Sequence, residues 1–182
     1  MIHKTKIFLV GFMGSGKSTI GPLLSRLLNW EFIDLDQEIE REEGRSVRQI
    51  FAEQGEAYFR ECEARLLQSL KAKGPSVIAL GGGAFVRPSN RDLIHELGYS
   101  VFLDCPLEIL IQRCPQDGSR PLWLSSESVE SLYAARVPVY QKSDFRIDVS
   151  TQTPEQIASA VLAHWNTRRS DGASEQPPSN DP

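Results

Sequence analysis

Long apolar runs are missing from this chain. None approaches the roughly 20 residues that a membrane-spanning helix needs, so no membrane partner is expected. Cysteine is scarce: Cys62, Cys105 and Cys114 form no Cys-x-x-Cys pair and no cluster with histidine. That excludes a disulfide framework and a zinc site, and leaves free thiols in a reducing compartment. An excess of positive charge is also missing. The 20 Lys and Arg are outnumbered by 24 Asp and Glu, a net charge of −4, so nothing general attracts a nucleic acid. A secretory signal is lacking too: the apolar run after Lys6 leads into Gly-Ser-Gly-Lys-Ser without a small-residue cleavage site. These absences point to a cytoplasmic globular protein. At 182 residues and 40% hydrophobic, one domain with a sizeable core fits. Residues Thr167 to Pro182 are rich in Ser, Pro, Asp, Asn and Gly, and are expected to be a disordered tail behind a domain spanning residues 1–166.

What is present begins with Gly11-Phe-Met-Gly-Ser-Gly-Lys-Ser-Thr19, directly after the apolar run Ile7 to Val10. Gly, four residues, then Gly-Lys-Ser is the pattern of a phosphate-binding loop. Its glycines let backbone N–H groups close around an anion, and a helix starting near Lys17 would turn its positive end to the same place. Lys17 would add a point charge on the β- and γ-phosphates, and the Ser18 hydroxyl would ligate magnesium. Residues Gly14, Ser15, Gly16, Lys17, Ser18 and Thr19 are therefore the candidate nucleotide contacts, with ATP as co-substrate and Mg2+ as cofactor.

Further along, strand and helix patterns alternate. Strands are expected at Lys6–Val10, Phe32–Asp34, Val77–Leu80, Ser100–Leu103 and Phe145–Val149. Helices are expected at Lys17–Leu28, Glu38–Glu43, Val47–Gln54, Glu56–Lys73, Arg91–Glu96, Pro106–Arg113, Val129–Val137 and Pro154–Trp165. Five buried-type strands alternating with helices imply an α/β fold, a parallel sheet with helices on both faces.

The loop alone does not name the acceptor. No Asn-Lys-x-Asp motif marks a GTPase, and a motor's extra domain has no room. Asp34 and Asp36 flank Leu35 at a strand end, where extended geometry would turn both toward the phosphates. One would serve magnesium and the other would accept a proton from a hydroxyl, unless they cap the next helix. Gly81-Gly82-Gly83 ends the third strand, either to let a ligand touch backbone or as a mobile turn. Arg60, four residues after Glu56, reads equally as a surface ion pair, and Arg136 as a solvated helix residue. Arg120 lies in the irregular Cys114–Trp123 stretch, where a mobile lid would carry it onto the transferring phosphate.

As an ordered set these residues resemble one family, shikimate kinase. The resemblance runs from about Lys6 to Trp165 and adds Gly44-Arg-Ser with Ile50-Phe51, Gly55-Glu56 with Phe59-Arg60-Glu61, Leu80-Gly-Gly-Gly83, Arg120-Pro-Leu122, and Arg136 with Pro138 and Tyr140. It implies a P-loop kinase of the nucleoside-monophosphate-kinase type, usually monomeric, with a five-stranded parallel sheet between two helical layers. It implies transfer of the ATP γ-phosphate to the 3-hydroxyl of shikimate, in chorismate and aromatic amino-acid biosynthesis. By motif, Asp36, Arg60, Gly82 and Arg136 would bind shikimate, with both arginines on its carboxylate and Asp36 helping to deprotonate the acceptor. Asp34 and Ser18 would serve magnesium, and Lys17 and Arg120 would stabilise γ-phosphate charge. Gln152 is the candidate contact on the adenine side. A gluconate-type or nucleotide kinase, or a silent ATP-binding module, is the alternative.

Overall fold

The computed structural model describes residues 5–113 and 126–173. Five strands form one parallel sheet in the order β2-β3-β1-β4-β5. They are β1 (Lys6–Val10), β2 (Glu31–Asp34), β3 (Ser76–Ala79), β4 (Gly98–Asp104) and β5 (Phe145–Asp148). Register runs Ile7 opposite Val77 on one side and Leu9 opposite Val101 on the other. Strands β1 and β3 are buried throughout, while β2 and β5, at the edges, alternate toward solvent. The continuous apolar runs of the central strands are what burial on both faces demands.

Helices α1 (Lys17–Leu28), α2 (Leu35–Glu43), α3 (Val47–Ser69), α4 (Pro88–Leu97), α5 (Leu107–Arg113), α6 (Ser126–Tyr140) and α7 (Pro154–Ala173) surround the sheet. Phe8, Leu9, Leu24, Leu67, Val101 and Ile94 are fully buried in one core. Truncating a ring such as Phe8 to alanine would cost roughly 3–5 kcal/mol, much of a typical domain's stability. Among the described residues, no helix is long and apolar enough to cross a membrane. Cys62 and Cys105 are buried free thiols; Cys114 lies outside the described residues.

Several boundaries differ from expectation, two of them most. The helices expected at Val47–Gln54 and Glu56–Lys73 are one element, α3, bent at Gly55, whose φ of 81° breaks the helical path without ending it. Its start is fixed by a capping box: Ser46 Oγ accepts from Gln49 N–H, and the Gln49 side chain accepts from Ser46 N–H. Helix α7 runs on to Ala173, well past Trp165 and into the segment expected as a tail. The Thr167 and Ser170 hydroxyls return to the carbonyls of Ala163 and Asn166, so polar residues there satisfy themselves within the helix.

Strand order reverses at β1, which has β3 on one side and β4 on the other. A crevice outside the carboxyl ends of these strands is where such a sheet binds ligands.

Candidate active site

A cleft of about 730 Å³ lies at that edge, lined from Met13 to Ile157. This is an ordinary size for a small-molecule site. It contains nearly every residue singled out from the sequence: Gly14 to Thr19, Asp34, Asp36, Arg60, Gly82, Arg136 and Gln152. Arg120 lies outside the described residues, as does the whole Cys114–Trp123 stretch expected to form a lid.

The donor end is the loop between β1 and α1. Gly16 caps α1 at φ 95°, and the helix begins at Lys17 as expected. Lys17 Nζ donates to the carbonyls of Gly11 at 2.8 Å and Phe12 at 3.0 Å, so the ammonium is held over the loop. Ser15 Oγ is buried with no hydrogen-bond partner among the described residues, an orphaned hydroxyl inside the anion cradle. Asp34 does two things at once. Its Oδ1 caps α2, accepting from Asp36 N–H at 3.2 Å and Gln37 N–H at 3.5 Å. Its Oδ2 accepts from Ser18 Oγ at 2.7 Å. A hydroxyl beside a carboxylate is the hard oxygen set that magnesium takes alongside phosphates and waters, so the residues present fit that ion. Among the described residues there is no group of three or more His, Cys, Asp or Glu that would make an all-protein metal cage.

Asp36 departs from expectation. It does not share an extended face with Asp34, because the Asp34 cap starts α2 at Leu35 and places Asp36 in its first turn. It still reaches the cleft, by helical rather than strand geometry.

The glycine triplet is also used differently. A methyl group at Gly81 would sit 2.4 Å from Asp36 Oδ1 and 2.9 Å from Glu63 Oε1; at Gly83 it would overlap the Arg60 guanidinium, and at Gly82 it would sit 2.9 Å from Arg136 Nη1. The missing side chains make room for four charged groups as well as for a ligand.

Arg60 does pair with Glu56, at 2.8 Å, but its other arm reaches Glu63 Oε2 at 2.7 Å. The guanidinium is thus held between two carboxylates and over the ring of Phe59, which is tilted against Phe51. Glu63 is fully buried, and its Oε1 has no hydrogen-bond partner among the described residues. Burial pushes its carboxyl up to about 7; the Arg60 charge opposes this and nearby Asp36 adds to it. Arg136 is no solvated helix residue. It is buried, with its guanidinium 6.0 Å from the Phe12 ring centre and no carboxylate within ion-pair distance among the described residues. A buried cation facing a cleft favours an anionic ligand.

At the far end Gln152 lines the cleft but spends its amide on the Asp148 carbonyl, at 2.8 Å. Arg113 and Pro154 line the same end, with Arg113 tied to the Val149 carbonyl at 3.1 Å. Sequence reasoning did not select Arg113, Glu63 or Tyr140 for the site. The signal for the last two was helical spacing: Glu63 follows Arg60 by three residues, and Tyr140 follows Arg136 by four.

A family profile described as shikimate kinase matches residues 13–166. The chain belongs to the shikimate kinase family. Among its relatives, the shikimate kinase of Persephonella marina is 41% identical over 157 residues, covering 86% of this chain and 96% of that protein. That of Microcystis aeruginosa is 45% identical over 160 residues, covering 86% and 84%. A solved shikimate kinase from Acinetobacter baumannii, in complex with shikimate, superposes with a TM-score of 0.86 at 33% identity, over 92% of this chain and 96% of that one. A gluconokinase from Sinorhizobium meliloti reaches 0.65 at 17% identity, a likeness of fold alone. The shikimate kinase family is thus matched across both halves of the cleft, and the five-stranded parallel sheet is its fold.

Proposed function

We propose that this chain transfers the γ-phosphate of ATP to the 3-hydroxyl of shikimate, giving shikimate 3-phosphate and ADP in chorismate and aromatic amino-acid biosynthesis. The observation that carries this is the buried Arg136, with no carboxylate within ion-pair distance among the described residues, in one cleft with a phosphate loop, in a chain of the shikimate kinase family. A relative with 33% identity has bound shikimate.

The site residues take these roles within the proposal. Gly14 to Thr19 wrap the phosphates, and Lys17 exchanges loop carbonyls for β- and γ-phosphate oxygens. Ser18 and Asp34 would hold magnesium, which would supply positive charge to neutralise the phosphates. Arg60 and Arg136 fork onto the acceptor's carboxylate, with Gly82 beneath it. Asp36 accepts the proton of the acceptor hydroxyl as its oxygen attacks the γ-phosphorus. The bond from that phosphorus to the bridging oxygen breaks, ADP leaves, and the proton passes from Asp36 to solvent. Arg120 completes the charge on the transferring group, and Gln152 and Arg113 serve the nucleotide's base side. The working unit is a monomeric cytoplasmic domain with no nucleic-acid or membrane partner.

A coupled ADP-release assay with ATP and magnesium tests it, with shikimate, gluconate and AMP as acceptors. Turnover dependent on shikimate is expected. Turnover with gluconate or AMP and none with shikimate would overturn the reading.

A further inference from the structure

Tyr140 is a buried polar residue that the reaction as described does not use. It is fully buried at the end of α6, its ring tilted against Phe102 with centroids 5.5 Å apart. Its hydroxyl donates a short hydrogen bond to the carbonyl of Gly82. Burial pushes the phenol up to about 12, so it stays protonated and remains a donor throughout the working range of pH.

The bond lies at a crossing point. Arg136 and Tyr140 are four residues apart on α6 and so share a helix face. A methyl group built at Gly82 would be 2.9 Å from Arg136 Nη1 and 3.6 Å from the Tyr140 hydroxyl, so one point on the glycine triplet meets both side chains. The positive charge of the nearby Arg136 guanidinium offsets part of the effect of burial on the phenol. The triplet has few other ties. Gly81 carbonyl accepts from Ala84 N–H at 3.0 Å, which fixes the peptide carrying Gly82 N–H. The next peptide, Gly82 carbonyl with Gly83 N–H, is fixed by Tyr140. A trans peptide is planar, so holding the carbonyl on one side directs the N–H to the other. Without side chains, these glycines have no packing of their own to set that plane.

We infer that Tyr140 is a positioning residue for the acceptor: its hydroxyl locks the Gly82–Gly83 peptide to the helix that carries Arg136, so that the glycine edge and the guanidinium meet an acceptor carboxylate in a fixed relation. This rests on the acceptor reading proposed above. The hydroxyl of Tyr140 binds Gly82 and its ring packs on Phe102, neither of which belongs to the phosphate loop or the Ser18–Asp34 pair, so its effect falls on acceptor binding and not on ATP.

Tyr140→Phe keeps the ring and removes the hydroxyl. Steady-state kinetics on the full chain should show the KM for shikimate raised about tenfold, with the KM for ATP within about twofold of wild type. Phe102→Leu is the control for packing: it disturbs the ring contact and keeps the hydroxyl. It should lower the thermal midpoint and leave the KM for shikimate unchanged. An unchanged KM for shikimate in Tyr140→Phe overturns the inference. So does a rise in both KM values that tracks a lower thermal midpoint in the two variants alike, since that is a structural role. The wild type run alongside separates the two failures. No shikimate turnover by wild type sinks the functional reading and this inference together; wild-type turnover with no KM split sinks the inference alone.

Discussion

The phosphate-binding part of the donor half is one continuous piece of chain, whereas the acceptor half is assembled from four. Residues Gly11 to Thr19 make the phosphate loop, and most of what they offer an anion is backbone. The acceptor half takes Asp36 from α2, Arg60 and Glu63 from α3, the glycine triplet after β3, and Arg136 with Tyr140 from α6. Backbone N–H groups point where the turn puts them. Side-chain charges point where their neighbours hold them, and here each has such a neighbour: Glu56 and Glu63 for Arg60, Phe12 and Tyr140 for Arg136. The first half therefore binds a common group by local geometry, and the second selects a particular acceptor by long-range packing.

The largest effect should come from removing one charge in each half. Lys17→Ala should lower kcat by about a hundredfold or more with any acceptor, since it removes charge from the transferring group. Arg136→Ala should cost roughly 2–5 kcal/mol in kcat/KM for shikimate while ATP binding, followed by a fluorescent nucleotide, stays intact. Loss of ATP binding in Arg136→Ala would mean that the two halves do not act separately. A smaller effect is expected from Gly83→Ala. Its methyl group would fall on the Arg60 guanidinium, a flexible group that can yield, so the KM for shikimate should rise about tenfold with little change in the thermal midpoint. An unaltered KM would show that Arg60 finds a second working position.

The smallest effect concerns Glu63. Its folded-state carboxyl, near 7, lies above the ordinary value of 4.5. Between those two pH values the unfolded chain releases the proton and the folded chain keeps it. The stabilising share of this group is thus complete below about pH 4.5 and disappears as pH rises through 7. Thermal midpoints measured from pH 5 to 8 should fall by about 5 °C more for wild type than for Glu63→Gln. Parallel curves would place the buried proton elsewhere.

Much of this was legible beforehand, and unevenly so. The loop could be read because its nine residues are consecutive and its chemistry lies in their order. The sheet could be read because β1, β3 and β4 are apolar runs that only burial on both faces permits. Asp36 was placed correctly in the cleft for the wrong reason: extended alternation suggested it, and the Asp34 cap delivers it through the first turn of α2. The pairing of Arg60 with Glu56 was visible at i,i+4 spacing, but burial of the partner at Glu63 was not, because polarity alone places a glutamate on the surface. Tyr140 and the triplet are some 58 residues apart along the chain, and no local pattern joins them.

Glu43, at the last turn of α2, also accepts hydrogen bonds from Tyr58 at 2.8 Å and Arg65 at 2.9 Å, both on α3 beyond the Gly55 bend. These bonds hold its carboxyl below its usual range, with the Tyr58 hydroxyl foremost. In mechanical terms it is a rivet. It pins the end of one lever to the long arm of the next, so α2 and α3 are tied beyond the bend as well as at their junction. The two helices braced in this way are the ones that carry Asp36 on one side and Arg60 with Glu63 on the other.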